Sequence, residues 1–468
     1  MADTKDKWPI AWVFPRGEAI RNFAYGGALE VVAKARRCGI LSVKPSEDVW
    51  QNLAGRCWAI ETLEEYPERY PVRLLRDLLD LAHGRWLWSE AAKERWRLRD
   101  TEARTVRKRL KRWGKKLAVT PLSNRTGIGL LMQLERIASR RMNPTTKYDN
   151  LLRNWRPALL FNASHVHSRN AIQAVQSAQW QGIRTATFVF SWDNLTSQGR
   201  VHPCYDHYLV WTDSIKKQLM DIYPGVDPTR VTVTGTPQFD PHFNQSNWWT
   251  REEFCRRVGA DPRRPIVLYA TGMPNHMPGE ERLVEAIANI LAEFPELKRP
   301  QLLVRVYAKD LTGRFDELKR RRQDILFPPV PWEVNWLTPL PEDLPLWTNT
   351  LRHCTVGINV ASTVSLELCM FDKPVINVAF NPPGVAESDL NYARYYQFDH
   401  YSPVVASGAV ELARSLAELR QLIHSALELP ELRRAERRGL LKTMFGNGLD
   451  GRASERVAAA LLRLAEPE

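Results

Sequence analysis

Ser362, Thr363 and Glu367 stand in the run Val-Gly-Ile-Asn-Val-Ala-Ser-Thr-Val-Ser-Leu-Glu, residues 356–367. The apolar stretches 356–360 and 375–380 on either side read as two buried parallel strands, and the residues between them as a helix capped by Ser362 or Thr363. The first turn of such a helix offers unpaired N–H groups and the positive end of the helix dipole, so two hydroxyls there make a seat for a phosphate. Glu367 follows one turn later on about the same face as Thr363, where a carboxylate accepts hydrogen bonds from sugar hydroxyls. An ordinary capped helix of an α/β protein carries the same pattern, so this segment alone does not decide between the two readings.

Further groups with chemistry lie where other strands end. Thr271 and Gly272 follow the apolar run 265–270 and bring hydroxyl and backbone donors suited to a pyrophosphate. Arg305 and Lys309, in and after the run 302–306, are cations placed to neutralise phosphate charge. His276 is a lone loop histidine, a type more often merely exposed than catalytic. In the first half, Glu18, Arg21 and Asn22 follow the strand-like 10–14, and Asp193 ends the run 185–190 beside Asn194 and Thr196. Carboxylates held at strand ends are candidates for a general base that deprotonates an acceptor hydroxyl, and Asp193 and Glu18 are the two named here. A turn or helix cap is the plain alternative for Asp193. Gly26-Gly27 is not a dinucleotide fingerprint, because G-x-G-x-x-G is absent. No acidic pair is spaced convincingly for a catalytic metal, so neither metal nor cofactor is expected beyond a nucleotide-bearing substrate.

The elements that must position these groups alternate strand and helix in two halves, which predicts an α/β protein of two Rossmann-like domains facing each other across a cleft. The expected division is an N-terminal acceptor-side domain, 1–245, with a basic helical insertion at about 71–145, and a C-terminal donor domain, 260–468. A hinge is expected at 241–265, a strand at 332–337, a loop at 382–389, and closing helices at 409–428 and 432–464. A chain of 468 residues that is 44% hydrophobic and 25% charged can bury two full cores. Its six cysteines show no C-x-x-C spacing, which suggests reduced, buried thiols rather than a zinc site or a disulfide framework. The first residues lack the apolar core of a signal peptide and no window is long enough to span a bilayer, so a cytoplasmic protein is expected.

Much of the net charge of +13 is concentrated in residues 93–116, where twelve Lys and Arg face three acids. Such a segment suits contact with an anionic membrane, and peripheral attachment at the inner membrane face is one expectation. A solvated helical face is the plainer reading and ranks ahead of it. Nucleic acid ranks last because no recognition motif accompanies the charge.

Two βα halves with phosphate-type turns in the second imply a nucleotide-diphosphate ligand. The residues 206–211, the run Val231-Thr-Val-Thr-Gly-Thr-Pro-Gln-Phe-Asp240, Ser362-Thr-Val-Ser-Leu-Glu367 and Lys373-Pro-Val-Ile376 together resemble the bacterial GT-B glycosyltransferase superfamily. The nearest branches are those shared with UDP-N-acetylglucosamine 2-epimerases and CDP-glycerol glycerophosphotransferases, beside surface-polysaccharide transferases, and the resemblance spans roughly 155–465. It implies a metal-independent transferase moving a sugar from a nucleotide-sugar to a glycan or lipid-linked acceptor. By position, Thr271 and Gly272 would touch the diphosphate, Ser362 and Thr363 the phosphates, and Glu367 a ribose or donor-sugar hydroxyl. Where the glycerophosphotransferase relatives tend to show His-Pro before an acid, this chain has Tyr307-Ala-Lys-Asp310, which shifts phosphate neutralisation onto Arg305 and Lys309. The epimerases' histidine- and acid-rich pattern is not found around 191–199, which counts against epimerisation. Transfer of a polyol phosphate on the same fold, and a non-catalytic scaffold binding a membrane or polyanion, are the competing readings.

Overall fold

The computed structural model describes residues 8–64, 66–166, 169–386 and 391–467. The chain separates into two compact units, one running to Gln238 and rejoined from Arg452, the other Phe239–Gly451. Each is built on one parallel sheet. In the first unit the strands are β1 (Ile10–Phe14), β2 (Cys38–Ser42), β3 (Ala59–Thr62), β4 (Leu159–Asn162), β5 (Arg184–Phe188), β6 (His207–Val210) and β7 (Val231–Val233), in the order β3-β2-β1-β4-β5-β6-β7. In the second they are β8 (Ile266–Ala270), β9 (Gln301–Arg305), β10 (Ile325–Leu326), β13 (Val356–Asn359), β14 (Val375–Val378) and β15 (Glu411–Ala413), in the order β10-β9-β8-β13-β14-β15, with a separate hairpin of β11 (Trp332–Glu333) and β12 (Thr338–Pro339).

Parallel strands buried on both faces are nearly continuous apolar runs rather than alternating ones, and every residue of β1, β4, β8, β13 and β14 is buried, with Asn162, Asn359 and Asn377 hydrogen-bonded there. Under the first sheet Trp12 meets Phe161 edge-on at 5.1 Å and Phe23 meets Phe188 at 5.1 Å. Gly39 of β2 lies against Trp155: a Cβ there would sit 2.5 Å from the indole, so only glycine lets that ring pack on the strand.

Several expected boundaries shift. Residues 241–265, expected as a hinge, are folded inside the second unit. Asn349 donates to Asn247 O at 2.6 Å and accepts from Trp249 N at 2.9 Å, and Arg251 donates to the carbonyls of Pro262, His353 and Arg264. Within it Phe254, Cys255 and Val258 are buried and anchor helix Arg251–Val258 to the unit's interior. The C-terminal end, expected in the donor domain, returns to the first unit. Helix Ala453–Ala465 packs on helix Ala28–Ala35, with Ser454 Oγ donating to Gly26 O at 2.7 Å and Arg456 to Thr234 O at 2.8 Å. The single helix expected at 432–464 is therefore two, Arg434–Phe445 and Ala453–Ala465, and part of the helix expected at 409–428 is strand β15. The strand expected at 332–337 is the β11–β12 hairpin, because Trp336 and Leu337 take left-handed φ values. The loop expected at 382–389 falls partly outside the described residues.

Between β3 and β4 lies the helical insertion: Tyr70–Leu87, Glu90–Thr101, Val106–Val119 and Arg125–Met142. Its own small core joins Leu79, Leu81, Ala82, Val119, Ile128 and Leu131, with Trp86 and Trp96 against it. Much of its charge is spent internally: Arg95 pairs with Asp80 at 3.0 Å, Arg97 with Glu94 at 2.8 Å, Lys115 with Asp77 at 2.5 Å, and Arg112 and Lys116 with Asp100. No helix among the described residues is long and apolar enough to cross a membrane.

Glu135 is the insertion's fully buried charge. Arg76 Nε donates to it at 2.7 Å, Ser139 Oγ at 2.7 Å, and His202 Nε2 lies 2.5 Å from its other oxygen. Burial by itself pushes a carboxyl up, but the His202 contact and the Arg76 charge outweigh it and hold Glu135 at about 2, below its ordinary value of 4.5. Glu135→Gln should therefore destabilise the protein by roughly 3 kcal/mol near neutral pH, read from urea unfolding. A depressed folded-state value places the carboxylate's contribution in full above about pH 4.5 and loses it as pH falls toward 2, so the gap between wild type and variant should close across that window. A gap independent of pH would remove the carboxylate from this account.

Candidate functional site

Strand order singles out one crevice in each unit. The sheet direction of winding reverses between β1 and β4 in the first and between β8 and β13 in the second, and loops diverging at such a point leave a crevice beyond the carboxyl ends of the strands. In the second unit those loops carry Thr271–Gly272, after β8, and Ser362–Thr363, after β13. In the first, Glu18 follows β1, whereas Asp193 follows β5, one strand beyond the reversal.

The turn after β13 is wired from beneath. Asn359 Oδ1 accepts from Ser362 N at 3.2 Å, Ser365 Oγ at 3.1 Å and Asn377 Nδ2 at 3.1 Å, and the Tyr401 hydroxyl reaches Ser365 Oγ and Asn377 Oδ1, both at 2.8 Å. Burial pushes the Tyr401 phenol far above its ordinary range, so it stays a neutral donor. Ala361 is held at φ 39°, a left-handed value that costs a non-glycine residue about 1–3 kcal/mol and persists only where surroundings over-determine it. Ser362 Oγ accepts from Val364 N, at the start of helix Val364–Met370, at 3.3 Å, and Thr363 is the residue at the N-cap position. A hydroxyl that accepts one bond still has its own proton to give.

Glu367 is buried on that helix and Oε1 takes two bonds, from His242 Nε2 at 3.0 Å and Trp347 Nε1 at 2.9 Å. His242 is itself fixed by Thr348 Oγ1 at 3.0 Å, by Phe371 edge-on at 5.5 Å and by Phe239 stacked at 6.2 Å. The imidazole thus orients the carboxylate from a residue 125 positions away in sequence.

The turns after β8 and β9 are locked to each other. Thr271 Oγ1 accepts from Tyr307 N at 2.8 Å, and the Gly272 N–H donates to both Glu280 oxygens at 3.0 Å. A Cβ on Gly272 would lie 2.6 Å from Met277. Arg314 spans the turns, donating to Glu280 at 2.8 Å, Gly272 O at 3.0 Å and Asp310 at 2.6 Å. Burial pushes the Glu280 carboxyl up, to about 7, against the opposing pull of Arg314, Tyr269 and the Gly272 N–H. Arg305 is paired with Asp343 and lies 5.4 Å over the Trp347 ring, while Trp332 Nε1 takes the other Asp343 oxygen at 2.8 Å. Lys309 is half-buried in the turn after β9. Gly272 and Arg305, read from sequence as phosphate groups, thus already carry structural bonds.

In the first unit Glu18 is buried beside Arg16, which donates to it at 2.9 Å and lies 4.9 Å over Phe190. Asp193 is half-buried at the start of a one-turn helix, Asn194–Ser197. Its carbonyl accepts from Ser197 N at 2.9 Å and its carboxylate from Ser197 Oγ at 2.6 Å, the bonds of a cap and turn. His242, Trp347, Arg314, Glu280 and Arg16 escaped sequence reading. Only Asp240-Pro-His-Phe243, at the end of a run already noticed, gave a signal.

No protein-family model and no curated protein matches the chain. Solved structures do. The UDP-GlcNAc 2-epimerase of Neisseria meningitidis bound to UDP-GlcNAc aligns over 97% of this chain and 100% of its own at 13% identity and a TM-score of 0.56. The S. aureus MnaA–UDP complex aligns over 98% and 97% at 11% identity and 0.55. A glycosyltransferase of Rickettsia africae aligns over 98% of both at 12% identity and 0.50. The fold is GT-B. At these identities the likeness is one of fold, and the GT-B architecture leaves the chemistry to be argued from the residues.

His242→Ala would leave the buried Glu367 with Trp347 alone. A loss of about 2 kcal/mol is expected from thermal or urea unfolding, with His242→Gln, which keeps a donor, recovering part of it. An unchanged unfolding curve for His242→Ala would show that the pair does not hold Glu367.

Proposed function

We propose that the protein is a glycosyltransferase that takes its sugar from a nucleotide-diphosphate donor, bound by the unit Phe239–Gly451. The observation that carries this reading is the β13 turn: hydroxyls at Ser362 and Thr363 over a strained loop gathered by Asn359 Oδ1, one helical turn from a carboxylate oriented by His242 and Trp347. A carboxylate so fixed is suited to gripping a pair of ribose or sugar hydroxyls, and the helix start to the phosphates. When the sugar–phosphate bond breaks, charge develops on the departing diphosphate, and donors fixed beforehand stabilise it without reorganising. Lys309, in the turn after β9, and Arg305, which is also held by Asp343, are the cations assigned to that charge. An acceptor hydroxyl would lose its proton to a carboxylate of the first unit. Glu18, beside that unit's point of reversal, is placed ahead of Asp193. The acceptor is assigned as a glycan or lipid-linked sugar on the resemblance alone.

A ligand that binds only the native state at about a hundred times its Kd stabilises it by roughly 2.7 kcal/mol. A panel of UDP, GDP, CDP and CMP read by thermal shift should therefore give one clear upward step, lost in Glu367→Ala and in Ser362→Ala with Thr363→Ala. No step with any nucleotide would refute the donor assignment. The matching nucleotide-sugar should then release nucleotide when acceptor is supplied. Conversion into its 2-epimer without acceptor would replace transfer by epimerisation, and turnover of CDP-glycerol by polyol-phosphate transfer.

A further inference from the structure

Helix Val106–Val119 wears its apolar side outward. Val106, Leu110, Trp113 and Leu117 are 72%, 63%, 62% and 53% exposed, and their spacing puts them in one stripe on a helix of 3.6 residues per turn. The opposite face turns inward with charge: Arg112 donates to Asp100 and to Trp96 O at 3.0 Å, Lys115 reaches Asp77 at 2.5 Å, Lys116 reaches Asp100 at 2.5 Å, and Val119 is buried. A helix facing water ordinarily shows the reverse arrangement. Arg107 borders the stripe on one side with Lys111 behind it, Arg109 borders it on the other, Lys108 is exposed on the side away from the stripe, and the helix contains no acidic residue. Helix Arg125–Met142, packed on the same helix Tyr70–Leu87, repeats the device with exposed Leu130, Leu134 and Ile137 in one row and Arg141 continuing it.

We propose that this insertion docks on the surface of an anionic bilayer, with Val106–Val119 lying in the plane of the headgroups. The stripe with its tryptophan reaches below the phosphates while the bordering Arg and Lys meet them, the two attractions by which an interfacial helix binds. Charge selects this occupant. A second copy would bring an equally acid-free, cationic helix against the first, and a nucleic acid needs the cations but not the apolar stripe. The insertion belongs to the first unit and the donor turn to the second, and no residue is shared between them, so the proposal stands or falls independently of the glycosyltransferase reading.

Full-length protein is floated with vesicles of phosphatidylcholine containing phosphatidylglycerol, and with phosphatidylcholine alone. Binding to the anionic vesicles is expected, and should fall roughly tenfold or more in Leu110→Ser/Trp113→Ser/Leu117→Ser, whose side chains are exposed and whose loss should leave far-UV circular dichroism and the unfolding curve unchanged. Arg107→Gln/Lys108→Gln/Lys111→Gln should also weaken binding and flatten its salt dependence. The nucleotide-induced thermal shift should persist in both variants. Absence of vesicle binding, equal binding by the folded serine variant, or a wild-type dimer that the serine variant abolishes would each overturn the proposal.

Discussion

Parallel pairing is the constraint on which both halves of this molecule rest. A strand that runs parallel to its neighbour must be reached by a crossover, so every strand in a sheet ends on the same edge and every βα loop leaves from there. With the order β10-β9-β8-β13-β14-β15, the loops after β8 and β13 diverge to opposite faces, and the hydroxyls and carboxylate of the candidate donor site follow from that divergence. The same logic ranks Glu18 ahead of Asp193 in the order β3-β2-β1-β4-β5-β6-β7.

Loops on that edge stay in place because their polar groups are answered by other elements. Arg314 joins the turns after β8 and β9, Asn359 gathers the donors of the β13 turn, and His242 reaches Glu367 from residues that resembled a linker. Each of these groups is largely withdrawn from water, where an unmade bond costs about 1–3 kcal/mol, so they fix loop geometry more firmly than surface pairs would.

The basic insertion obeys a different economy. Its cations do not form one uniform field: those on the inner face of Val106–Val119 neutralise Asp77 and Asp100, and those at the margins border an apolar stripe. Composition showed the excess of charge, but only the orientation of the helix shows which cations are spent on folding.

The sequence by itself determined the α/β class, the two-sheet plan, the helical insertion and the run Ser362–Glu367, because continuous apolar strands and a capped helix are local patterns that survive in one dimension. Tertiary structure decided the rest. It returned Ala453–Ala465 to the first unit, folded 241–265 into the second, engaged Gly272 with Glu280 and Arg305 with Asp343, and brought His242 to Glu367. Partners far apart in sequence leave no periodic trace. Whether a donor or charge is kept for a ligand or bonded within the fold is settled only when the chain closes on itself.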